Sequence, residues 1–249
     1  MIIDNALFLL LILGHILGDF YLQTEKMSKL KMDNVKSLTL HSFLYFISIS
    51  FCLIPIISIK IFMIGMIISV IHLLIDSVKY LLEKRYKVET LHNLITLLFD
   101  QGIHFISILM VLIIFWQNGI NTYKVIGIIS YLDWFFEINK LDIIKFAIIT
   151  LAVYKPINII FIKVYKKYKP NIEDVETIRQ VGANIGGLER ILIIVLLYLN
   201  QFAAIGLVLT AKSIARYNKI AEDPKFAEYY LLGTLFSVLS AICIFYLFA

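Results

Sequence analysis

Long apolar runs constrain this chain more than any other feature of its sequence. Runs of roughly 17 to 25 apolar residues match the length of a helix that crosses a bilayer. We predict such helices at residues 6–22, 38–58, 61–82, 91–116, 143–165, 188–210 and 226–248. With 60% hydrophobic and 16% charged residues, the composition excludes an ordinary soluble domain. The predicted fold is an all-α, polytopic transmembrane helical bundle of about seven spans.

The spans divide into two predicted regions. Residues 1–116 form a four-helix membrane bundle, and residues 117–249 form a C-terminal membrane region of about three spans plus a short interfacial segment. That segment, 123–136, is apolar but short, and it contains Gly127 and Asp133. An interfacial or re-entrant helix is therefore expected there rather than a further span.

Basic side chains gather beside the predicted spans. One group follows the first span and another ends the third: Lys26, Lys29, Lys31 and Lys36, then Lys79, Lys84, Arg85 and Lys87. The positive-inside rule places both groups in the cytoplasm and the N-terminus outside it. We expect a multi-pass protein of the cell membrane, which in a bacterium is the inner membrane. No nucleic-acid-binding motif accompanies the net charge of +5, so the expected partner is membrane lipid and not nucleic acid.

In the second half of the chain, the distribution of basic residues conflicts with the positive-inside rule. Basic residues follow both the fifth and the sixth predicted span: Lys163, Lys166, Lys167 and Lys169, then Lys212, Arg216 and Lys219. Two successive loops cannot both be cytoplasmic if one complete span separates them.

Histidine and aspartate recur four residues apart inside the first four spans. The pairs are His15 with Asp19, His72 with Asp76, and Asp100 with His104. On a helix, residues i and i+4 lie on one face, so each pair can converge on one object. A carboxylate inside a membrane costs roughly 2.5 kcal/mol or more and requires a partner. Three such pairs therefore predict a functional polar site.

Alternating helix direction places these pairs at one face of the membrane. The end of the first span, the start of the second, the end of the third and the start of the fourth all lie there. His41 opens the second span and joins the predicted site, whereas His92 is expected near its rim. The sequence predicts one polar site, open toward the cytoplasmic leaflet, within the first four helices.

Neutral imidazoles and carboxylates without a thiolate suit zinc, manganese or iron. The predicted ligands are His15, Asp19, His41, His72, Asp76, Asp100 and His104, enough for one or two ions. A bound ion also neutralises the buried carboxylates. The alternative for any one pair is structural, with each aspartate accepting a hydrogen bond from its own i+4 histidine.

The first functional hypothesis is a metal-dependent hydrolase of a lipid or lipid-linked ester or phosphoester. A carboxylate that is not a ligand acts as general base, and Asp19 and Asp100 are equal alternatives for it. Gln23 and Gln101 could orient ligands or could be ordinary helix-end residues. Lys79 is expected to snorkel at a helix end, with phosphate binding as its alternative.

Two other classes remain open. A transporter or channel for a metal ion or proton would use the same residues as a transit site. Its path is incomplete, because the outer halves of these spans contain no matching polar residues and the second half contains no histidine. The third possibility is a membrane scaffold whose polar pairs serve folding or partner binding.

The second half contains fewer chemical signals. Pro156 is expected to kink the fifth span. Glu189 and Arg190 are expected to form an ion pair at a helix start, and closure of the site is their alternative. Lys212 and Arg216 are expected to anchor a helix at the interface rather than bind a lipid phosphate. Asp223 is expected to cap the last helix ahead of its first residue, a proline.

Four motifs carry a family resemblance: "GHILGDFYLQ", the histidine in "LTLHSF", "HLLIDSVK" and "FDQGIHF". They resemble the bacterial integral-membrane family called domain of unknown function 3307, often encoded near SatD-type proteins. The later "ANIGGLERILI" and "AKSIARY" resemble the C-terminal half of longer members. The resemblance implies an uncharacterised function and no reaction. The His/Asp clusters are more distantly similar to YdjM-type proteins, described as membrane-bound metal-dependent hydrolases, which is an analogy at the level of fold.

Overall fold

All regular structure in the described part of the chain is helical. The computed structural model of the 249-residue protein describes residues 6–31, 34–56, 58–86, 94–117, 140–165 and 176–248. The helices are α1 Ala6–Ile16, α2 Glu25–Leu30, α3 Val35–Leu53, α4 Ile59–Tyr86, α5 Leu94–Gln117, α6 Lys140–Tyr154, α7 Pro156–Val164, α8 Glu176–Tyr198, α9 Phe202–Ile214, α10 Tyr217–Glu222 and α11 Pro224–Phe248. A π-helical turn, Leu17–Leu22, continues α1, and a 3₁₀ turn, Ile54–Ile56, continues α3.

Several helices fit a multi-pass membrane protein. Five stretches of the described residues are long and apolar enough to cross a bilayer: Val35–Ile56, Ile59–Arg85, Leu94–Phe115, Leu141–Val164 and Pro224–Phe248. Ala6–Leu22 and Phe202–Ile214 are apolar but shorter. The all-helical class is thus confirmed, while the count of about seven spans stays a prediction. The expected interfacial segment 123–136 lies outside the described residues.

The chain divides into two compact units, Met1–Ile148 and Ile149–Ala249. The boundary that we predict after residue 116 stays a prediction, since residues 118–139 lie outside the described part. The first unit contains all the His/Asp pairs.

Two glycines bring α1 close to α3 in the first unit. A Cβ atom on Gly14 would lie 2.9 Å from Ile49 Cδ1, and one on Gly18 would lie 2.7 Å from Tyr45 Cδ2. Ser48 Oγ donates to the Gly14 carbonyl at 2.8 Å. Small residues four apart permit this close helix contact in membranes.

The two ends of the first unit differ in chemistry. Toward one end the buried side chains of α1, α3, α4 and α5 are apolar: Leu7, Phe8, Leu9, Leu10, Leu11, Ile12, Ile49, Leu53, Ile61, Ile64, Ile68, Ile108 and Val111. The buried serines nearby donate to helix carbonyls, as Ser48 does to Gly14 and Ser69 does to Gly65. The histidines and aspartates lie toward the other end, where α1 and α4 finish and α3 and α5 begin.

In the second unit, the predicted kink at Pro156 is confirmed as a break between α6 and α7. Proline has no N–H and its ring prevents a continuous helix. Arg190 of α8 is 2% exposed and covers the break. Its Nε donates to the Val153 carbonyl at 2.5 Å and its Nη2 to the Tyr154 carbonyl at 3.3 Å, while Nη1 donates to Ser237 Oγ at 3.1 Å.

The sixth predicted span, residues 188–210, is wrong as one helix. Asn200 has a positive φ of 55°, and Gln201 N donates to the Leu196 carbonyl at 2.8 Å. A left-handed residue with this bond ends α8 in a Schellman turn. Lys212 on α9 donates to Glu189 on α8 at 2.6 Å, so the chain turns back at Asn200 and α8 with α9 forms a hairpin.

The hairpin also corrects the expected role of Glu189. Glu189 pairs with Lys212 and not with Arg190. Glu189 and Arg190 both lie well inside α8 rather than at its start. Lys212 Nζ also lies 5.1 Å from the Tyr230 ring centroid. The predicted cap of the last helix is confirmed, since Phe226 N donates to Asp223 Oδ1 at 3.0 Å.

Candidate functional site

The seven predicted His and Asp residues meet in one buried cluster in the first unit. His15 comes from α1, Asp19 from the π-helical turn, His41 from α3, His72 and Asp76 from α4, and Asp100 and His104 from α5. Six of the side chains are buried, and that of Asp100 is 12% exposed. We call these seven residues the His/Asp cluster.

Hydrogen bonds within this cluster do not follow the i, i+4 pairs. His15 Nε2 lies 4.0 Å from Asp19 Oδ2, and His104 Nε2 lies 3.8 Å from Asp100 Oδ1. The structural alternative, with each aspartate bonded to its own histidine, is therefore wrong. In the first pair the cause is local, because a π-helical turn has more residues than an α-helical turn and rotates Asp19 away from His15.

Asp19 instead accepts hydrogen bonds from two other helices. His72 Nε2 donates to Oδ1 at 2.9 Å and Gln101 Nε2 donates to Oδ2 at 3.0 Å. Gln101 Oε1 lies 3.2 Å from His15 Nε2, and His15 Nδ1 lies 3.2 Å from the Tyr45 hydroxyl. Because an amide oxygen only accepts, His15 carries its proton on Nε2 and accepts from Tyr45 on Nδ1.

His41 is fully buried without a hydrogen-bond partner among the described residues. Its Nε2 lies 3.4 Å from Asp19 Oδ1 and 3.4 Å from Asp76 Oδ2. Two ligands at about 2.1 Å from a tetrahedral zinc ion lie about 3.4 Å apart. An orphaned buried nitrogen costs free energy, and a cation between these groups would remove that cost.

His104 has the same character on the α5 side. Neither of its ring nitrogens has a hydrogen-bond partner in the described part of the chain, and Asp76 Oδ1 also has none there. His104 Nε2 and Asp76 Oδ1 lie 3.9 Å apart. A cation bound between these two atoms would supply the partner that each of them lacks among the described residues.

Three overlapping groups of residues lie close enough together to hold a metal ion: His15, Asp19 and His72; His41, His72 and Asp76; and Asp76, Asp100 and His104. In each set one ligand atom per residue lies within 4.8 Å of the others. The first and third sets share no residue, so the cluster has donors for two ions. Nitrogen and carboxylate donors fit zinc, manganese or iron.

Two lysines contact the carboxylates directly. Lys31 Nζ donates to Asp76 Oδ2 at 3.0 Å, and Lys79 Nζ lies 2.9 Å from Asp100 Oδ2. Burial lowers the pKa of Lys31, but the Asp76 carboxylate outweighs burial and holds this pKa above its ordinary value. Lys31 is therefore an ammonium at neutral pH. Lys79 faces the cluster, which corrects the expectation that it only snorkels.

Tyr45 is one of two site residues that the sequence analysis missed, the other being Lys31. Its ring stacks on His72 at a centroid distance of 3.7 Å, and His104 stacks on the other side of the same histidine at 4.3 Å. Tyr45 lies one helical turn after His41, so the i, i+4 spacing was the signal available for it. Lys31 had no signal beyond membrane topology.

The other predicted residues have varied positions. Gln101 contacts His15 and Asp19, which favours the orienting role over its alternative as an ordinary helix-end residue. The Gln23 amide, oriented to satisfy both groups, donates to the Asp19 backbone carbonyl at 2.9 Å and accepts from Lys31 Nζ at 3.2 Å. His92 lies outside the described residues. Glu189 and Arg190 have their contacts within the second unit.

The buried His/Asp cluster lies on apolar helices that fit the class of multi-pass membrane proteins. Within that class, the chain belongs to the family described as Protein of unknown function (DUF3307), whose match spans residues 7–133, just over half of the chain. The resemblance of the four motifs in the first half is confirmed, and the match contains the whole His/Asp cluster. The resemblance of the two later motifs stays a prediction, since they lie beyond residue 133. No curated protein and no solved structure matches the chain. The YdjM-type similarity stays a prediction.

Proposed function

We propose that this protein is a metal-dependent hydrolase of a lipid or lipid-linked ester or phosphoester, acting at the cytoplasmic leaflet. One observation carries the proposal: His41 and His104 are buried, their ring nitrogens have no hydrogen-bond partner among the described residues, and their Nε2 atoms lie 3.4 to 3.9 Å from aspartate oxygens. Such a pattern is costly unless a ligand supplies the missing partner. In this proposal α1 with its π-helical turn is one of about seven spans and begins outside the cell.

A divalent ion held here would lower the pKa of a coordinated water toward neutrality and polarise the scissile group. The remaining work falls to the side chains. His72 and Gln101 fix the Asp19 carboxylate by donating to both of its oxygens. Asp19 is therefore better suited to bind the metal ion than to accept a proton from water.

Asp100 is the better general base of the two alternatives. Its side chain is 12% exposed, against 5% for Asp19, and lies at the edge of the cluster. Lys79 Nζ lies 2.9 Å from Asp100 Oδ2, whereas Asp100 Oδ1 lies 3.8 Å from His104 Nε2, which is too long for a hydrogen bond. A base must reach the reacting water before its pKa matters, and Asp100 has that access.

Metal content tests the proposal. We would purify the protein without chelator and measure bound zinc, manganese and iron by mass spectrometry. Wild type should contain near-stoichiometric metal, and Asp76→Asn, His72→Ala and His104→Ala should lose it. Asp142→Asn is the matched control, since this carboxylate is exposed on α6. Metal-free wild type after reloading would reject the hydrolase.

Metal-positive protein would then be tested for hydrolysis of lipid esters and lipid phosphoesters. Asp100→Asn should keep the metal and lose turnover, because its role is proton transfer. Loss of the metal in Asp100→Asn would instead make Asp100 a ligand.

Proton or metal-ion transport is the second candidate, supported by the continuous chain Tyr45, His15, Gln101, Asp19 and His72. Such chains move protons in membrane proteins. The apolar side chains that fill the other end of the described first unit count against a complete path. Reconstituted wild type that dissipates a proton gradient, with Tyr45→Phe inactive, would favour transport over hydrolysis.

A further inference from the structure

Each lysine at the cluster occupies one oxygen of a different carboxylate. Lys31 reaches Asp76 from the segment between α2 and α3, while Lys79 reaches Asp100 from the last turns of α4. The exposed fractions of these lysine side chains are 6% and 18%. Two largely buried ammonium groups at one polar site are unusual, because each must be desolvated.

The charges of the cluster favour an anion once metal is present. Three carboxylates and two ammonium groups give −3 + 2 = −1 with neutral imidazoles. One divalent ion changes this charge to +1, and two ions change it to +3. Excess positive charge in a buried site is unfavourable without a counterion. A neutral ester would leave the excess in place, whereas a phosphate group would remove it.

We propose that Lys31 and Lys79 bind the phosphate group of the substrate, which makes the substrate a phosphoester rather than a carboxylic ester. This inference rests on the proposed metal-dependent function. Asp76 would hold the metal in place of its contact with Lys31, whose ammonium group would then donate to a phosphate oxygen. Lys79 would donate to the phosphate beside Asp100, which stays free of metal as the general base. Lys31 and Lys79 are thus specificity-determining residues.

Phosphate binding to the full chain in detergent tests the inference. Inorganic phosphate is titrated calorimetrically into protein with and without the metal. Metal-loaded wild type should bind it, and metal-free protein should not. Lys31→Met and Lys79→Met should each weaken binding at least about tenfold, the loss of one charge-assisted hydrogen bond, with metal content unchanged.

Two matched variants separate a specific site from general charge or misfolding. Lys36→Met removes an exposed lysine at the start of α3, at the same end of the unit, and should bind phosphate normally. Lys31→Arg keeps the charge and should retain phosphate binding. Phosphate affinity that is indifferent to Lys31→Met and Lys79→Met, or equal in metal-free protein, would overturn the inference.

A short-chain phosphatidic acid provides the second arm. Tighter binding of this lipid than of inorganic phosphate supports a lipid headgroup, and equal affinities support a free phosphate; both agree with the inference. Stoichiometric metal without any phosphate binding overturns it but leaves the hydrolase intact, with a neutral ester as substrate. Absence of metal rejects the proposed function itself.

Discussion

His72 donates through Nε2 to Oδ1 of Asp19 at 2.9 Å, joining α4 to the π-helical turn. The other oxygen of Asp19 accepts from Gln101 on α5. A single carboxylate therefore joins the π-helical turn, α4 and α5 by two hydrogen bonds. The effect of a substitution at Asp19 on stability therefore follows from the hydrogen-bond donors and acceptors that it leaves.

Asp19→Asn should destabilise the protein, because one of its two donors would then face an amide N–H. We expect a loss of about 1–3 kcal/mol in the free energy of unfolding. Gln101→Glu in the same chain restores an acceptor opposite the new amide, and His72 keeps its own acceptor. The double variant should regain most of the stability by thermal unfolding in detergent. Equal stability of the double and single variants would contradict the assigned hydrogen bonds.

Gly18→Ala should lower stability by about 1–3 kcal/mol through overpacking. The new Cβ atom would lie 2.7 Å from the Tyr45 ring, which must shift and so disturb its stacking on His72. Gly102→Ala is the control, since no atom of the described residues lies within 4 Å of the corresponding Cβ position. It should be neutral or stabilise α5 by up to about 1 kcal/mol. Melting temperatures measured in one detergent compare the two; similar losses would refute the packing argument.

Arg190→Leu should cost about 3 kcal/mol, because it leaves the carbonyls at the α6–α7 break without their donor. Pro156→Ala restores an N–H and permits a more continuous helix. The cost of Arg190→Leu should therefore be smaller in the Pro156→Ala background. A double-mutant cycle on the free energy of unfolding measures this coupling, and strict additivity would show that Arg190 does not serve the break.

The α8–α9 hairpin predicts that its two ends lie at the same face of the membrane. α9 has 13 residues, about 20 Å, which is shorter than the roughly 30 Å hydrocarbon core. In a chain with Cys52→Ala and Cys243→Ala, Gly182→Cys and Asn218→Cys should react with a membrane-impermeant thiol reagent from one side. Reaction from opposite sides would contradict the hairpin and support a single span over residues 188–210. Labelling from one side would also mean that the basic residues at 163–169 and at 212–219 can both lie in the cytoplasm, as the positive-inside rule requires.

The ion pair between Lys31 and Asp76 predicts how the stability of the protein depends on pH. The pKa of Lys31 is raised by Asp76 in the folded protein, so the ion pair contributes stability that is complete below the unfolded lysine value of 10.5 and lost as pH rises through the folded value. Lys31→Met should cost about 3 kcal/mol, by the same amount at mildly acidic and neutral pH. Stability measured across this range checks the sign, and a difference that changes between these pH values would contradict it.

The apolar runs and the i, i+4 spacing determined much of this site in advance. Helix direction alternates along any such chain, so the pairs on four helices had to arrive at one face, and all seven predicted residues do meet. His41 joined them for the same reason, since it opens the second span. The proline break and the Asp223 cap were local signals of the backbone and needed no tertiary information.

Tertiary structure decided the partners. Contacts between residues far apart in sequence decide which donor reaches Asp19. Such contacts also turn Lys31 and Lys79 toward carboxylates. Glu189 pairs with Lys212 only because one residue, Asn200, adopts a left-handed conformation that an apolar run does not reveal. Sequence periodicity fixes which face of a helix is polar, whereas hydrogen-bond partners depend on rotation and separation of neighbouring helices, which close packing at Gly14 and Gly18 sets.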